Sequence, residues 1–354
     1  MTNQEIIRHL SGMKTRHSLS KGIWDASEWC ANKLKTLSGI EVEQMKYMLP
    51  AGRRIQKETE CVQVIATVKG KSDRIVIIGA HLDSLNLNDV PNGIAPGAND
   101  DASGVAATMN AAQFFAGKTP ECTIKFVLFS GEEQGLLGSR ALTTRAKTEN
   151  WKIEAVLSND TIGSSENLLG QNDKKHIRVF SDDNEKHNSR ELARFIEFNC
   201  RALSVKPKLV LRADRFGRGG DHTPFADAGY NAVRLVEVYE EYSRQHTDQD
   251  LEKYIDYTYL EGVCKINNQS LEALAMSPVA PTSVVATRDN GHHTRLHWKG
   301  NPDGFYRIYW RETDSAIWQN HQDVHGLESL LMKVSIDDHI FGVSSHNGIP
   351  VVTK

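Results

Sequence analysis

At 354 residues the chain exceeds the roughly 100–200 residues of one typical domain, so it can bury one large core or two smaller ones. Its 39% hydrophobic and 25% charged residues are those of an ordinary globular protein, which excludes a disordered chain. The 42 basic and 45 acidic residues leave a net charge of -3, which offers no positive field to a nucleic-acid backbone, and no apolar run reaches the ~18–20 residues of a membrane span.

Residues 23–38 place Ile23, Ala26, Trp29, Cys30, Leu34 and Leu37 at three- and four-residue spacing, which predicts a helix packed on one face. Short β-rich runs follow at 61–68, 74–80, 123–130, 153–159 and 231–238, several apolar nearly throughout, as strands buried on both faces of a sheet are. Residues 103–116, 134–146, 189–203 and 254–275 carry apolar side chains at helical spacing. This alternation predicts an α/β fold with a mixed, largely parallel central sheet flanked by helices and with functional loops at strand ends.

Near residue 277 the segment SPVAPTS brings two prolines and no helical period. Beyond it, 283–289, 294–300, 305–312, 330–336 and 339–345 alternate as strands, with turns at Asp289-Asn290-Gly291 and Asn301-Pro302-Asp303-Gly304. The expected division is a first domain over 1–277 and a small all-β sandwich over 278–354, with Trp298, Tyr306, Tyr309 and Trp310 as core or face aromatics. Cys30, Cys61, Cys122, Cys200 and Cys264 are odd in number and lack CxxC spacing; they are expected as small buried hydrophobes rather than a zinc knuckle or a complete disulfide framework.

Several strand ends carry side chains suited to a metal. The run 74–80 leads directly into His81, with Asp83 two residues later; an imidazole can ligate through one nitrogen while a neighbouring carboxylate fixes the other. The turn Pro96-Gly97-Ala98-Asn99-Asp100-Asp101 puts two adjacent acids before a helix, where one could cap the helix and one could face a cation. After the third strand come Glu132 and Glu133, whose side chains diverge, so one can bind a metal while the other serves as a general base. Asp160 ends the fourth strand and His246 follows in Arg244-Gln245-His246-Thr247. Together these are mixed nitrogen and oxygen donors of the kind zinc accepts, with carboxylates able to bridge two ions.

The segments GAHLDS, APGANDDASGVA, FSGEEQGLLGS, SNDTIG, GGDHTPF and QHT resemble, in order and approximate spacing, the co-catalytic zinc aminopeptidases of metallopeptidase family twenty-eight. That family also holds glutamate carboxypeptidases and is related to glutaminyl cyclases. The resemblance covers about 5–276 and implies a zinc exopeptidase fold acting on peptides. It implies two zinc ions per chain, one held by His81 and Asp160, the other by Glu133 and His246, with Asp100 bridging. It further implies that Glu132 is the general base, that Asp83 orients His81, and that the Asp100–Asp101 peptide bond is cis.

Some relatives place an oxyanion-donating tyrosine before the final histidine; Gln245 stands there, which leaves Tyr239 or Tyr242 as substitutes. His222 is a candidate substrate contact, and Arg215 and Arg218 are candidates for reading a substrate carboxylate. The loop 85–95, rich in Asn, Gly and Pro, is expected to border the cleft. Residues 278–354 resemble a fibronectin type III-like module. Residues 15–30 resemble the region after a leader and prosegment in bacterial members, which predicts an extracytoplasmic protein with a leader absent from this chain. A single-zinc cyclising acyltransferase and an inactive binding protein on the same scaffold are the competing readings; the complete donor set and the GANDDASG segment favour the exopeptidase.

Overall fold

A computed structural model describes residues 1–52, 54–289, 291–326 and 329–353, so Asn290 of the first expected turn lies outside the described residues. Strands β1 (Glu41–Leu49), β2 (Thr59–Val68), β3 (Arg74–His81), β4 (Thr123–Phe129), β5 (Lys152–Asn159), β6 (His176–Phe180), β7 (Lys206–Val210) and β8 (Ala232–Glu237) form one sheet. Their order is β1-β2-β4-β3-β5-β8-β6-β7. The central run β4, β3, β5, β8 is parallel, as is β6 with β7, whereas β1–β2, β2–β4 and β6–β8 are antiparallel.

Among the described residues, seven α-helices flank the sheet: α1 (Asn3–Ser11), α2 (Lys21–Lys35), α3 (Ala102–Phe115), α4 (Leu137–Thr148), α5 (Ser189–Cys200), α6 (His222–Asp227) and α7 (Tyr257–Ala275). Strand alternation divides the core between the two faces. Val76 and Ile78 pack into the cluster shared with α1, α2, α3, α5 and α7, while Ile75 and Ile77 pack with Leu142 of α4 and Phe225 of α6. The helix expected from residue 134 begins at Leu137, because Gly135 (φ 116°) and Leu136 (φ 62°) turn the chain out of helical conformation first. All five cysteines are free and buried. Among the described residues, no helix is long and apolar enough to cross a membrane.

The C-terminal strands are β9 (Thr282–Asp289), β10 (His293–Lys299), β11 (Phe305–Glu312), β12 (Asn320–His325), β13 (Ser329–Ser335), β14 (His339–Ser345) and β15 (Val351–Val352). They form two antiparallel sheets, β13-β10-β9 and β12-β11-β14-β15, around Val284, Leu296, Trp298, Ile308 and Phe341. Trp298, Tyr306 and Tyr309 are buried and Trp310 packs against that cluster from its edge. This sandwich abuts the amino ends of the main strands. Arg74, at the start of β3, donates to the Ser277 carbonyl at 2.6 Å, and Arg194 of α5 donates to the Ala316 carbonyl at 2.8 Å.

Candidate metal centre

The parallel strands β4, β3 and β5 all point the same way, so the residues that follow them meet at one end of the sheet. β3 delivers His81 and Asp83, β4 delivers Glu132 and Glu133, and β5 delivers Asp160; the turn before α3 adds Asp100 and the loop after β8 adds His246. Left-handed backbone at three non-glycine residues, Leu136, Thr161 and His246, falls within this group of loops, as such conformations do at functional sites.

Asp100 is the hub. Its Oδ1 lies 3.0 Å from His81 Nε2 and its Oδ2 lies 3.2 Å from His246 Nε2. Glu133 Oε2 is 3.1 Å from His246 Nε2, and Asp160 Oδ1 is 3.8 Å from His81 Nε2. Donor atoms ~2.0–2.1 Å from a tetrahedral zinc stand roughly 3.3 Å from one another, so these separations fit two adjoining metal positions that share Asp100. Among the described residues, Glu133 Oε1 is buried without a hydrogen-bond partner, a need that a cation would satisfy.

His81 and Asp160 also lie close to Asp101, but its carboxylate is already spent on main-chain groups. Oδ1 accepts from Gly104 and Thr161 and Oδ2 from His81, so Asp101 caps α3 and pins the strand ends. Of the paired acids, one is a cap and the other faces the imidazoles. The Asp100–Asp101 peptide bond is cis.

Asp83 differs in detail from expectation. Its main-chain carbonyl accepts from His81 Nδ1 at 3.0 Å, while its carboxylate stands 3.7 Å from the same nitrogen, and Nε2 is left to face Asp100. The carboxylate instead accepts from the N–H groups of Glu132 (3.3 Å) and Glu133 (3.2 Å) and so fixes the loop that carries both acids. Asp250 does the same for the Asp100 turn, accepting from the N–H groups of Asn99 and Asp100. Arg16, fully buried, donates to the carbonyls of Leu82 and Gly97 and ties the two segments together.

Burial pushes the Glu132 carboxyl well above its ordinary range; the nearby His81 works against the shift, and Asp160 and Glu133 add to it. For His246, burial works against the charged form, but hydrogen bonds to Asp100 and Glu133 outweigh it and raise the imidazole to about 11. A proton and a metal therefore compete for this imidazole.

A cavity of about 310 Å³ opens over these residues. His81, Asp100, Glu132, Glu133, Asp160 and His246 line it, together with Arg54, Arg218 and Arg234. Arg54 donates to the Glu133 carbonyl. Arg218 lines the cavity, 3.8 Å from Glu240, whereas the buried guanidinium of Arg215 is engaged by Asp214 and Glu240. His222 is buried with Nε2 donating to the Ala213 carbonyl at 2.9 Å, away from the cavity lining. Tyr242 is exposed and donates to Glu240, and neither it nor Tyr239 is among the lining residues. The 85–95 loop does reach the site: the Leu87 N–H donates to the His246 carbonyl.

Residues 63–269, more than half of the chain, match the sequence profile of peptidase family M28. The chain belongs to that family. This M28 peptidase is 35% identical over 399 positions to a probable zinc metalloprotease of Pyricularia oryzae, across 96% of this chain and 78% of the relative. In fold it is similar to the Legionella pneumophila aminopeptidase LapA, with a TM-score of 0.61 at 19% identity over 78% of this chain and 71% of that one. It is equally similar to the Fimbriiglobus ruber glutaminyl cyclase, with a TM-score of 0.61 at 18% identity over 76% of this chain and 93% of that one. The M28 match spans every residue of the Asp100 cluster and ends before the C-terminal sheets.

Proposed function

We propose that this M28 peptidase is a zinc-dependent aminopeptidase that releases N-terminal residues from peptides. His81 and Asp160 would hold one zinc, Glu133 and His246 a second, and Asp100 would be shared. The observation that carries this reading is Asp100, whose two carboxylate oxygens face two different imidazoles beside Glu132 in one cavity. Zinc bound there supplies Lewis-acid polarisation of the scissile carbonyl and acidifies the attacking water. Glu132, with its raised proton affinity, takes the proton from that water and returns it to the leaving amine. Asp83 holds the Glu132 N–H and so keeps the base aimed at the cavity. The fold shared with the Legionella pneumophila aminopeptidase LapA supports action from the amino terminus.

Arg54 and Arg218 in the same lining support a second reading, a carboxypeptidase or dipeptidase that binds a substrate carboxylate. The fold shared with a glutaminyl cyclase keeps acyl transfer as a third reading. Arylamine release from a free leucyl anilide and from its N-acetylated twin separates them, with Glu132→Gln as control. Cleavage of the free-amine substrate alone, absent in the variant, is the expected result. Cleavage of neither by zinc-loaded protein would move the assignment to the other readings.

Residues 1–277 form the catalytic domain and 278–354 a fibronectin type III-like domain in this proposal, supported by the separate hydrophobic cluster between the C-terminal sheets. An extracytoplasmic location rests on the resemblance of residues 15–30 and is tested by cell fractionation.

A further inference from the structure

Strand β8 reads as apolar apart from Arg234 and Glu237, yet Arg234 is 1% exposed and borders the metal cavity. Its guanidinium forms a fork between three acceptors. Nη2 lies 2.7 Å from Asp160 Oδ2, and Nη1 lies 3.0 Å from Asp214 Oδ2 and 2.6 Å from the Gly219 carbonyl. The main chain closes over it at Gly220, where an added Cβ would stand 3.2 Å from Arg234 Cδ and Nη1. Asp214 is in turn held by the Arg215 N–H and side chain. A buried guanidinium fixed on three sides has little freedom to leave Asp160.

The consequence is a difference between the two halves of the candidate centre. Asp160 has one oxygen occupied by Arg234 and the other facing His81. Among the described residues, no arginine pairs with the Glu133 carboxylate; Arg54 donates to its main-chain carbonyl. Resting on the two-zinc reading above, we propose that Arg234 is a positioning residue: it occupies Asp160 Oδ2 and thereby commits Asp160 to bind metal through Oδ1 alone. Lysine cannot replace it, because a single ammonium lacks the planar fork that spans Asp160, Asp214 and the Gly219 carbonyl together.

The test titrates metal-free protein with Co²⁺ and reads visible absorption and calorimetric binding, independently of turnover. Wild type binds two ions per chain; fewer than two would overturn the two-metal reading and this proposal with it. Arg234→Lys keeps one ion at wild-type affinity and weakens the other ~10–100-fold, the usual effect of losing a group that orients a ligand. Asp160→Asn affects the same ion, which places the loss. Arg178→Lys, in the neighbouring pair with Glu240 but away from Asp160, leaves both affinities unchanged. If Arg234→Lys does not fold, Asp214→Asn decides: it preserves shape but removes the charge that anchors the far side of the Arg234 fork, so Asp160 is held less firmly and the same ion weakens severalfold. Two ions bound with wild-type affinity and spectrum in a folded Arg234→Lys or, in its place, Asp214→Asn would overturn the assignment and leave Arg234 a structural ion pair.

Discussion

At the carboxyl ends of β3, β4 and β5 the chain leaves His81, Glu132, Glu133 and Asp160 around a cavity of about 310 Å³, whereas at the amino ends of β3 and β5 Arg74 and Glu154 border one of about 410 Å³ against the C-terminal sandwich. The larger cavity is the one without chemistry. Its principal cation is consumed by architecture: Arg74 pairs with Glu154 and donates to the carbonyls of Ser277 and Pro278. The smaller cavity gathers acids and imidazoles around a Glu133 oxygen without a partner among the described residues. Strand direction, which sends functional loops to carboxyl ends, locates the site better than volume does.

The sharpest way to break this contrast is Glu132→Gln. Removing a general acid–base typically costs ~10²–10⁴-fold in turnover, and metal content should not change, because Glu133 rather than Glu132 is the proposed ligand. Metal analysis alongside the rate measurement is decisive: loss of an ion would mean that Glu132, not Glu133, is the ligand.

At the opposite ends, Arg74→Met should do the reverse. It leaves Glu154 without its partner and two carbonyls without a donor, at a cost of ~2–3 kcal/mol, below the full penalty for a buried pair because the Glu154 side chain is 33% exposed. Denaturant unfolding should shift accordingly, while the rate per folded molecule stays that of wild type. A fall in that rate would show that the two ends of the sheet are coupled.

How much of this was legible depended on how a residue announces itself. His81, Glu132, Glu133 and Asp160 follow apolar runs directly, so the same pattern that marks a buried strand also marks where it stops. Asp100 and His246 were readable from a glycine-flanked turn and from family resemblance. Strand β1 was missed because its exposed, polar sequence EVEQMKYML lacks an apolar run, and β6 and β7 because five residues are too few to show a period. Arg234 was missed for a different reason. A single arginine in a strand reads as a solvent-facing position, and only the tertiary structure shows that Asp160 and Asp214 make its burial tolerable. Arg215 was misplaced by the same blindness: Asp214 and Glu240 claim its guanidinium before any substrate can.

The mildest test probes the junction through shape rather than charge. Phe198 of α5 packs edge-on against Tyr309 of β11 with ring centroids 5.0 Å apart, and against His321 of β12 at 5.2 Å. Phe198→Leu keeps most of the apolar contact and removes only the ring geometry, so the expected loss is about 0.5–1.5 kcal/mol. Because Arg194 of α5 and Arg201, just past its end, still donate to the carbonyls of Ala316 and Trp318, the sandwich should stay docked and metal binding should be untouched. A much larger loss in thermal unfolding, or a separate transition for the C-terminal sheets, would show that the aromatic contact and not the arginine clasp holds the two parts together.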